Sequence, residues 1–283
     1  MFERIYGISC VENHVLAQLK QCEMDVSMLY YDSAIPLHVL YRSLVENDVR
    51  PEYFDLLPRS QDILKELGVI HLELIRDSNA ERVWHKAYTL ADNEHILLRT
   101  APDFVQRTLL ARGFRPDHYV LAGRSGEQME LTNDIPERTV RVSRKVFEGC
   151  YAKDYFHLTV CRRMDQVDRE RLWNERTYRL DDLEPFGFDV DALRDMDHYG
   201  VRLRNLAGMC KLFRYRLAEY YRYFVPTDFI YDTIPLYQKY YATLEYYNLK
   251  KNVSVDCYAA LLSDMIQTDY RLLKQLKRRI AGT

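Results

Sequence analysis

Residues 113–147 read GFRPDHYVLAGRSGEQMELTNDIPERTVRVSRKVF. His118 opens an apolar run, Tyr119-Val120-Leu121-Ala122. A glycine-marked turn, Arg124-Ser125-Gly126-Glu127, separates it from a second extended run over residues 128–132. That run ends at Asn133-Asp134-Ile135-Pro136, and a third, residues 139–142, leads into a helix start at Ser143. The pattern predicts a β-hairpin with an imidazole at the head of one strand and an acid at the foot of the next. In an antiparallel pair those two ends lie side by side, so His118 and Asp134 are expected to meet. An acid beside an imidazole fixes its tautomer and stabilises its cation. Asn133 is the alternative orienter, and Asn133-Asp134 also reads simply as a turn pair before Pro136.

The group whose proton such a histidine would manage is Cys10. Val11, Val15, Leu16, Leu19 and Cys22 fall at helical spacing, with Glu12, Asn13, Gln18 and Lys20 on other faces. Ser9 fits an N-cap, with Glu12 three residues on completing a capping box. Cys10 is then the first helical residue, where free backbone N–H groups and the positive end of the helix dipole favour a thiolate. The alternative is a cysteine buried as a small hydrophobe in an amphipathic helix.

Composition narrows the class. The chain has 283 residues, 47% hydrophobic and 29% charged, enough for a full core in one large domain or two smaller ones. A net charge of −2 gives no overall field directed at nucleic acid or membrane. No apolar run reaches the roughly 18–20 residues of a membrane span. The opening MFERIYGISC lacks a signal-peptide layout, so a cytoplasmic protein is expected. None of the six cysteines forms a CxxC pair, which argues against a cysteine zinc site. His71, His85 and His95 fall in strand-like segments without the carboxylate spacing of a metal site, so no metal is expected.

Along the chain, residues 24–49 read as helix broken at Ile35-Pro36, and residues 53–57 as a short extended piece. Residues 60–67 form a helix closed by Gly68. Residues 69–75, 83–89 and 96–99 read as strands, 103–112 as a helix closed by Gly113, 143–151 as a helix and 156–161 as a closing strand. This is an α+β layout, helix first and sheet afterwards. From Asp165 the character changes to helices at residues 169–179, 201–224, 233–249 and 255–280, with a loop-like acidic stretch at 181–197. The expected domains are therefore 1–163 and a helical region, 164–283, serving as lid, substrate-binding element or dimerisation surface.

Cys10 at a helix head, His118-Tyr119-Val120-Leu121-Ala122-Gly123, Asn133-Asp134 and Ser143-Arg144-Lys145-Val146-Phe147 together resemble the papain-like domain of bacteriocin-leader-processing cysteine peptidases. They are more similar to its non-proteolytic relatives, the butirosin-biosynthesis (BtrH-like) acyltransferase family. The resemblance covers about residues 1–160. The peptidases carry Asp-Cys-Gly and a glutamine six residues before the cysteine. Here Ser9 and Val11 flank Cys10, and Arg4 stands at the glutamine position. The resemblance thus implies a papain-like fold and a Cys10–His118–Asp134 triad. It implies transfer of an acyl group from the phosphopantetheine thioester of a carrier protein to a small-molecule amine in natural-product biosynthesis, with no other cofactor. A peptidase or amidase of the same fold is the alternative, and a catalytically silent binding module is another.

His14, four residues after Cys10, is a candidate substrate contact or a solvated or core-edge histidine. Tyr119 is a second candidate substrate contact. His157 reads as structural and Cys22 as core. Of 23 tyrosines, 11 lie between Tyr215 and Tyr258, more than one helix face absorbs. They suit an acyl pocket, a homodimer surface or packing against the first domain. Lys274, Lys277, Arg278 and Arg279 could meet an acidic carrier protein or complement a helix end.

Overall fold

Alternating apolar residues from four stretches build one antiparallel sheet around the hairpin. The computed structural model describes residues 9–31, 33–51, 60–109, 118–176, 180, 183, 185–250 and 252–282. Its strands are β1 (Ile70–Arg76), β2 (Glu94–Thr100), β3 (Tyr119–Ser125), β4 (Gln128–Asn133), β5 (Arg138–Val142) and β6 (Tyr151–Val160), in the order β1-β6-β2-β3-β4-β5. Every neighbouring pair is antiparallel. The fold class is α+β.

The hairpin is tighter than the sequence reading has it. β3 continues to Ser125, which pairs with Gln128, leaving Gly126-Glu127 as a two-residue turn. Gly126 has φ +60°, the left-handed conformation that a II′-type hairpin demands at its first central position. A turn of two residues pins the register, here Leu121 opposite Thr132 and Ala122 opposite Leu131.

One sheet face carries the core of Ile96, Leu98, Val120, Ala122, Met129, Leu131 and Tyr155, closed by Val83, Trp84 and Phe147. Val83 and Trp84 come from α4 (Ala80–Tyr88), where the alternation of residues 83–89 predicts a strand. Two caps decide it for helix. Asn79 Oδ1 accepts from the Arg82 N–H at 3.0 Å, and Asp77 accepts from the Asn79 N–H at 2.9 Å and from Arg82 Nε at 2.7 Å. Val83, Trp84 and Ala87 then share one buried stripe. Phe147 comes from α6 (Arg144–Cys150), which follows Ser143 as expected.

α1 (Cys10–Gln21) packs on β3, and α3 (Ser60–Glu66) packs on both α1 and β1. α1 is not the half-exposed helix its pattern suggests. Residues from Val11 to Leu19 are all buried, with Asn13 at 1% and His14 at 0% exposure. Cys22, expected in the core, is the half-buried C-cap of this helix, its N–H donating to Gln18 O at 3.1 Å. The expected helix at 103–112 is a short turn, Pro102–Phe104, running into a π-helical turn, Val105–Leu109. Residues 110–117, which include Gly113, and the extended piece at 53–57 lie outside the described residues.

The chain divides into two units. Among the described residues, one holds 9–26 and 60–168 and the other holds 27–51 and 169–282. The single boundary after residue 163 is thus replaced by three crossings, because residues 27–51 belong with the helices. In place of continuous helix they form a 3-10 turn, Ser27–Tyr30, and α2 (Leu37–Tyr41) followed by a π-helical turn, Arg42–Glu46. α5 is the Pro102–Phe104 turn, α7 spans Gln166–Arg176, and α8 (Val190–Asp195) interrupts the acidic loop. α9 (Tyr199–Tyr221), α10 (Asp228–Leu249) and α11 (Val255–Ala281) make up the rest, with α9 packed along α10. Among the described residues, no helix is long and apolar enough to cross a membrane.

Arg214, fully buried on α9, ties the helical unit together. Its Nε and Nη2 donate to both carboxylate oxygens of Asp269 at 2.7 and 2.9 Å, and its Nη1 and Nη2 donate to Ser33 O and Ile35 O at 2.9 and 2.7 Å. Tyr237 adds a hydroxyl to Asp269 at 2.7 Å. Five of the eleven tyrosines from Tyr215 to Tyr258 are buried in this interior, and Tyr215, Tyr223 and Tyr246 are exposed. Tyr220 and Tyr221 surround Trp173 and Phe224, and Tyr240 donates to Asp264 at 2.7 Å. In the basic tail, Arg279 lies over the Phe229 ring and donates to Pro226 O, while Lys274 meets Tyr270.

Removing one partner of a buried ion pair leaves an uncompensated charge, so Asp269→Asn is expected to cost about 3–5 kcal/mol. Denaturant unfolding of the variant measures it. A loss below about 1 kcal/mol would mean the pair is not the tie described.

Candidate functional site

The site is assembled at the head of α1. Ser9 is extended, with φ −65° and ψ 144°, and its Oγ accepts from the Glu12 N–H at 3.1 Å. The helix therefore begins at Cys10, whose thiol lies at the positive end of the helix dipole. A strand supplies a donor: the Tyr119 N–H points to Cys10 Sγ at 3.4 Å. That contact sets the sulfur beside the residue that follows His118. Cys10 and His118 are both half-buried.

His118 is oriented through an amide. Its Nε2 lies 2.5 Å from Asn133 Oδ1, while Asn133 Nδ2 donates to Pro136 O at 2.8 Å. The Pro136 carbonyl can only accept, so it fixes which end of the amide is which. Oδ1 then faces the ring and can only accept, so Nε2 carries the ring proton. Nδ1 is left as the nitrogen that can take a proton. Asn133 is completely buried, which shields this hydrogen bond from water.

Asp134, the orienter expected first, does not hold the ring. Its Oδ2 accepts from Asn13 Nδ2 of α1 at 3.1 Å, and it is buried. Register explains the exchange. Ser125 opposite Gln128, carried along the ladder, sets Val120 opposite Asn133 and Tyr119 opposite Asp134. Asn133 thus shares a face with His118, and Asp134 shares one with Tyr119. An even-numbered hairpin loop is the signal in the sequence that separates the two.

His14 is fully buried one turn along α1 from Cys10, in place of a solvated histidine. Burial pushes its pKa down to about 4; Asp134 pulls it up, His118 pushes it down, and a hydrogen bond with the Tyr119 backbone pulls it up. At neutral pH it is a neutral imidazole beneath the site. Tyr119 belongs to the frame as well, not to a substrate surface. Its hydroxyl donates to Asp154 at 3.1 Å, its ring packs 4.9 Å from Phe156, and Asp154 pairs with Arg99 at 2.7 Å. Burial, then Asp154, raise the Tyr119 phenol well above its usual range. Asn13, Arg99 and Asp154 carry no sequence motif, and sequence reasoning missed them.

The other histidines lie elsewhere. His71 faces Glu73 at 3.8 Å and His157 faces Glu94 at 3.3 Å, while His85 is on α4, 3.8 Å from Glu81, not on a strand. Burial lowers the His95 and His157 pKa values. Arg4 lies outside the described residues. Comparison with family models, with curated proteins and with solved structures finds no match to this chain.

His14 makes folding pH-dependent. The unfolded chain binds its proton near pH 6.5, the folded one near pH 4, so stability is fully present above 6.5 and falls as pH drops through that window. The full fall corresponds to about 3 kcal/mol. Urea unfolding between pH 7 and pH 4 should show a steeper loss in the native protein than in His14→Gln. Equal slopes would contradict a neutral buried His14.

Proposed function

We propose that this protein is a papain-like cysteine acyltransferase that moves an acyl group from a carrier-protein thioester to an amine acceptor, through an acyl-Cys10 intermediate. One observation carries the reading: a half-buried thiol at a helix head accepts the Tyr119 N–H, beside a histidine whose Nε2 is held by a buried amide. A cysteine at a helix head, with a histidine and an asparagine from the two arms of an antiparallel hairpin, supports a papain-type reading. The Asn133–His118 bond gives Cys10, His118 and Asn133 as the working set, with Asp134 behind them. The resemblance to the BtrH-like acyltransferase family supports the choice of an acyl thioester as donor.

His118 takes the proton of Cys10, giving a thiolate and an imidazolium. The thiolate attacks the thioester carbonyl, a C–S bond to Cys10 forms, and the C–S bond to the donor breaks. The departing phosphopantetheine thiolate takes the proton from His118. An amine then attacks the acyl-cysteine and gives its proton to His118. The C–S bond to Cys10 breaks, the amide leaves, and the thiolate–imidazolium pair is restored. Thioester exchange is nearly balanced, so the first half costs little, and the Cys10 N–H is positioned as one oxyanion donor. A free thiol of this kind suits a reducing cytoplasm.

Intact-mass measurement with an acyl-loaded carrier should add one acyl group to the native protein and none to Cys10→Ala. Asn133→Ala, which frees the His118 tautomer, should slow formation of that adduct about 10²-fold or more. An acyl adduct that forms on Cys10→Ala equally well would overturn the reading. Hydrolysis of a peptide with no thioester donor would replace it with an amidase of the same site.

A further inference from the structure

The Asp134 carboxylate is buried, yet it neither holds His118 nor lies on the surface. What it does hold is α1. Asn13 is three residues along that helix from Cys10, and its amide donates to Asp134 across 121 residues of sequence. Helical spacing puts Cys10, Asn13 and His14 on one side of α1. Asn133 and Asp134 are consecutive at the end of β4, so the residue that orients His118 and the residue that grips the cysteine helix are adjacent. A shift of either would move sulfur and imidazole relative to each other, and catalytic pairs lose rate steeply with small displacements.

We propose, on the acyltransferase reading above, that Asn13 and Asp134 are positioning residues: their hydrogen bond latches the head of α1 to the hairpin and so fixes Cys10 relative to His118. Around it, His14, which feels both Asp134 and His118, is neutral above about pH 4. Glu12, also on α1, accepts from Ser60 Oγ on α3 at 2.9 Å. Beyond Tyr119, Arg99 on β2 and Asp154 on β6 pair with each other at 2.7 Å.

The test follows alkylation of Cys10 by iodoacetamide in the full chain as a function of pH, read by peptide mass. In Asp134→Asn, Cys10 alkylation at pH 7 should slow about tenfold. The exchange Asn13→Asp with Asp134→Asn keeps a carboxylate and an amide facing each other, and should bring alkylation back to within about threefold of native. Should Asp134→Asn fail to fold, Asn13→Ala breaks the same latch and should slow alkylation in the same direction. A folded Asp134→Asn, or in its place Asn13→Ala, with a native alkylation profile overturns the proposal. The acyl-adduct measurement separates the two readings. Protein that shows these shifts but accepts no acyl group removes the acyltransferase and leaves the latch standing. Protein that is acylated while Asp134→Asn behaves as native does the reverse.

Discussion

A helix that carries Glu12, Asn13 and His14 into a space without water must find a partner for each, because an unsatisfied buried polar group costs roughly 1–3 kcal/mol. α1 meets this requirement with hydrogen bonds at two points, Glu12 taking the Ser60 hydroxyl and Asn13 taking Asp134, while His14 stays uncharged. Each of these contacts fixes the helix against a different strand or helix of the sheet unit. Cys10 has its position because the next turn of its own helix can be buried in only one way.

The hairpin imposes the complementary constraint. Its two-residue turn sets the parity of every later pair, and parity sends Asn133 to the histidine and Asp134 to the helix. Two neighbouring side chains of similar size thereby acquire separate tasks. The neutral amide, gripped by the Pro136 carbonyl, dictates a tautomer without adding charge to the ring. The carboxylate, one residue on, accepts from Asn13 and joins the hairpin to α1.

Much of this could be read from residues alone, for identifiable reasons. The hairpin, the Ser9 cap and the Cys10 helix are local: a period of two, a glycine at positive φ and an N-cap each act within a few residues. α4 was misread because residues 83–89 contain the valine, tryptophan and tyrosine that strands favour. The deciding signal, Asp77 and Asn79, lies upstream as a cap. The polar stripe of α1 looked solvent-facing because periodicity reports contrast along a helix and says nothing of what a neighbouring strand will offer. Asn13–Asp134 and Tyr119–Asp154 join residues far apart in the chain, and pairings of that kind leave no local trace. The helical unit shows the same limit: its helices were visible, but the membership of residues 27–51 depends on a guanidinium at Arg214.

That membership affects how the chain must be assembled. Arg214 lies 181 residues beyond Ser33, so on a ribosome the early segment emerges long before the side chain that will satisfy its carbonyls. The sheet unit is complete by residue 168 and can condense around an excursion whose own home has not yet been synthesised. Closing a loop of that length costs little more entropy than closing a short one, so the excursion is tolerable. A fragment that starts after the sheet, however, would carry the guanidinium without its acceptors. The two halves of this sequence are therefore not separable pieces, although the sheet comes mostly from one and the long helices from the other.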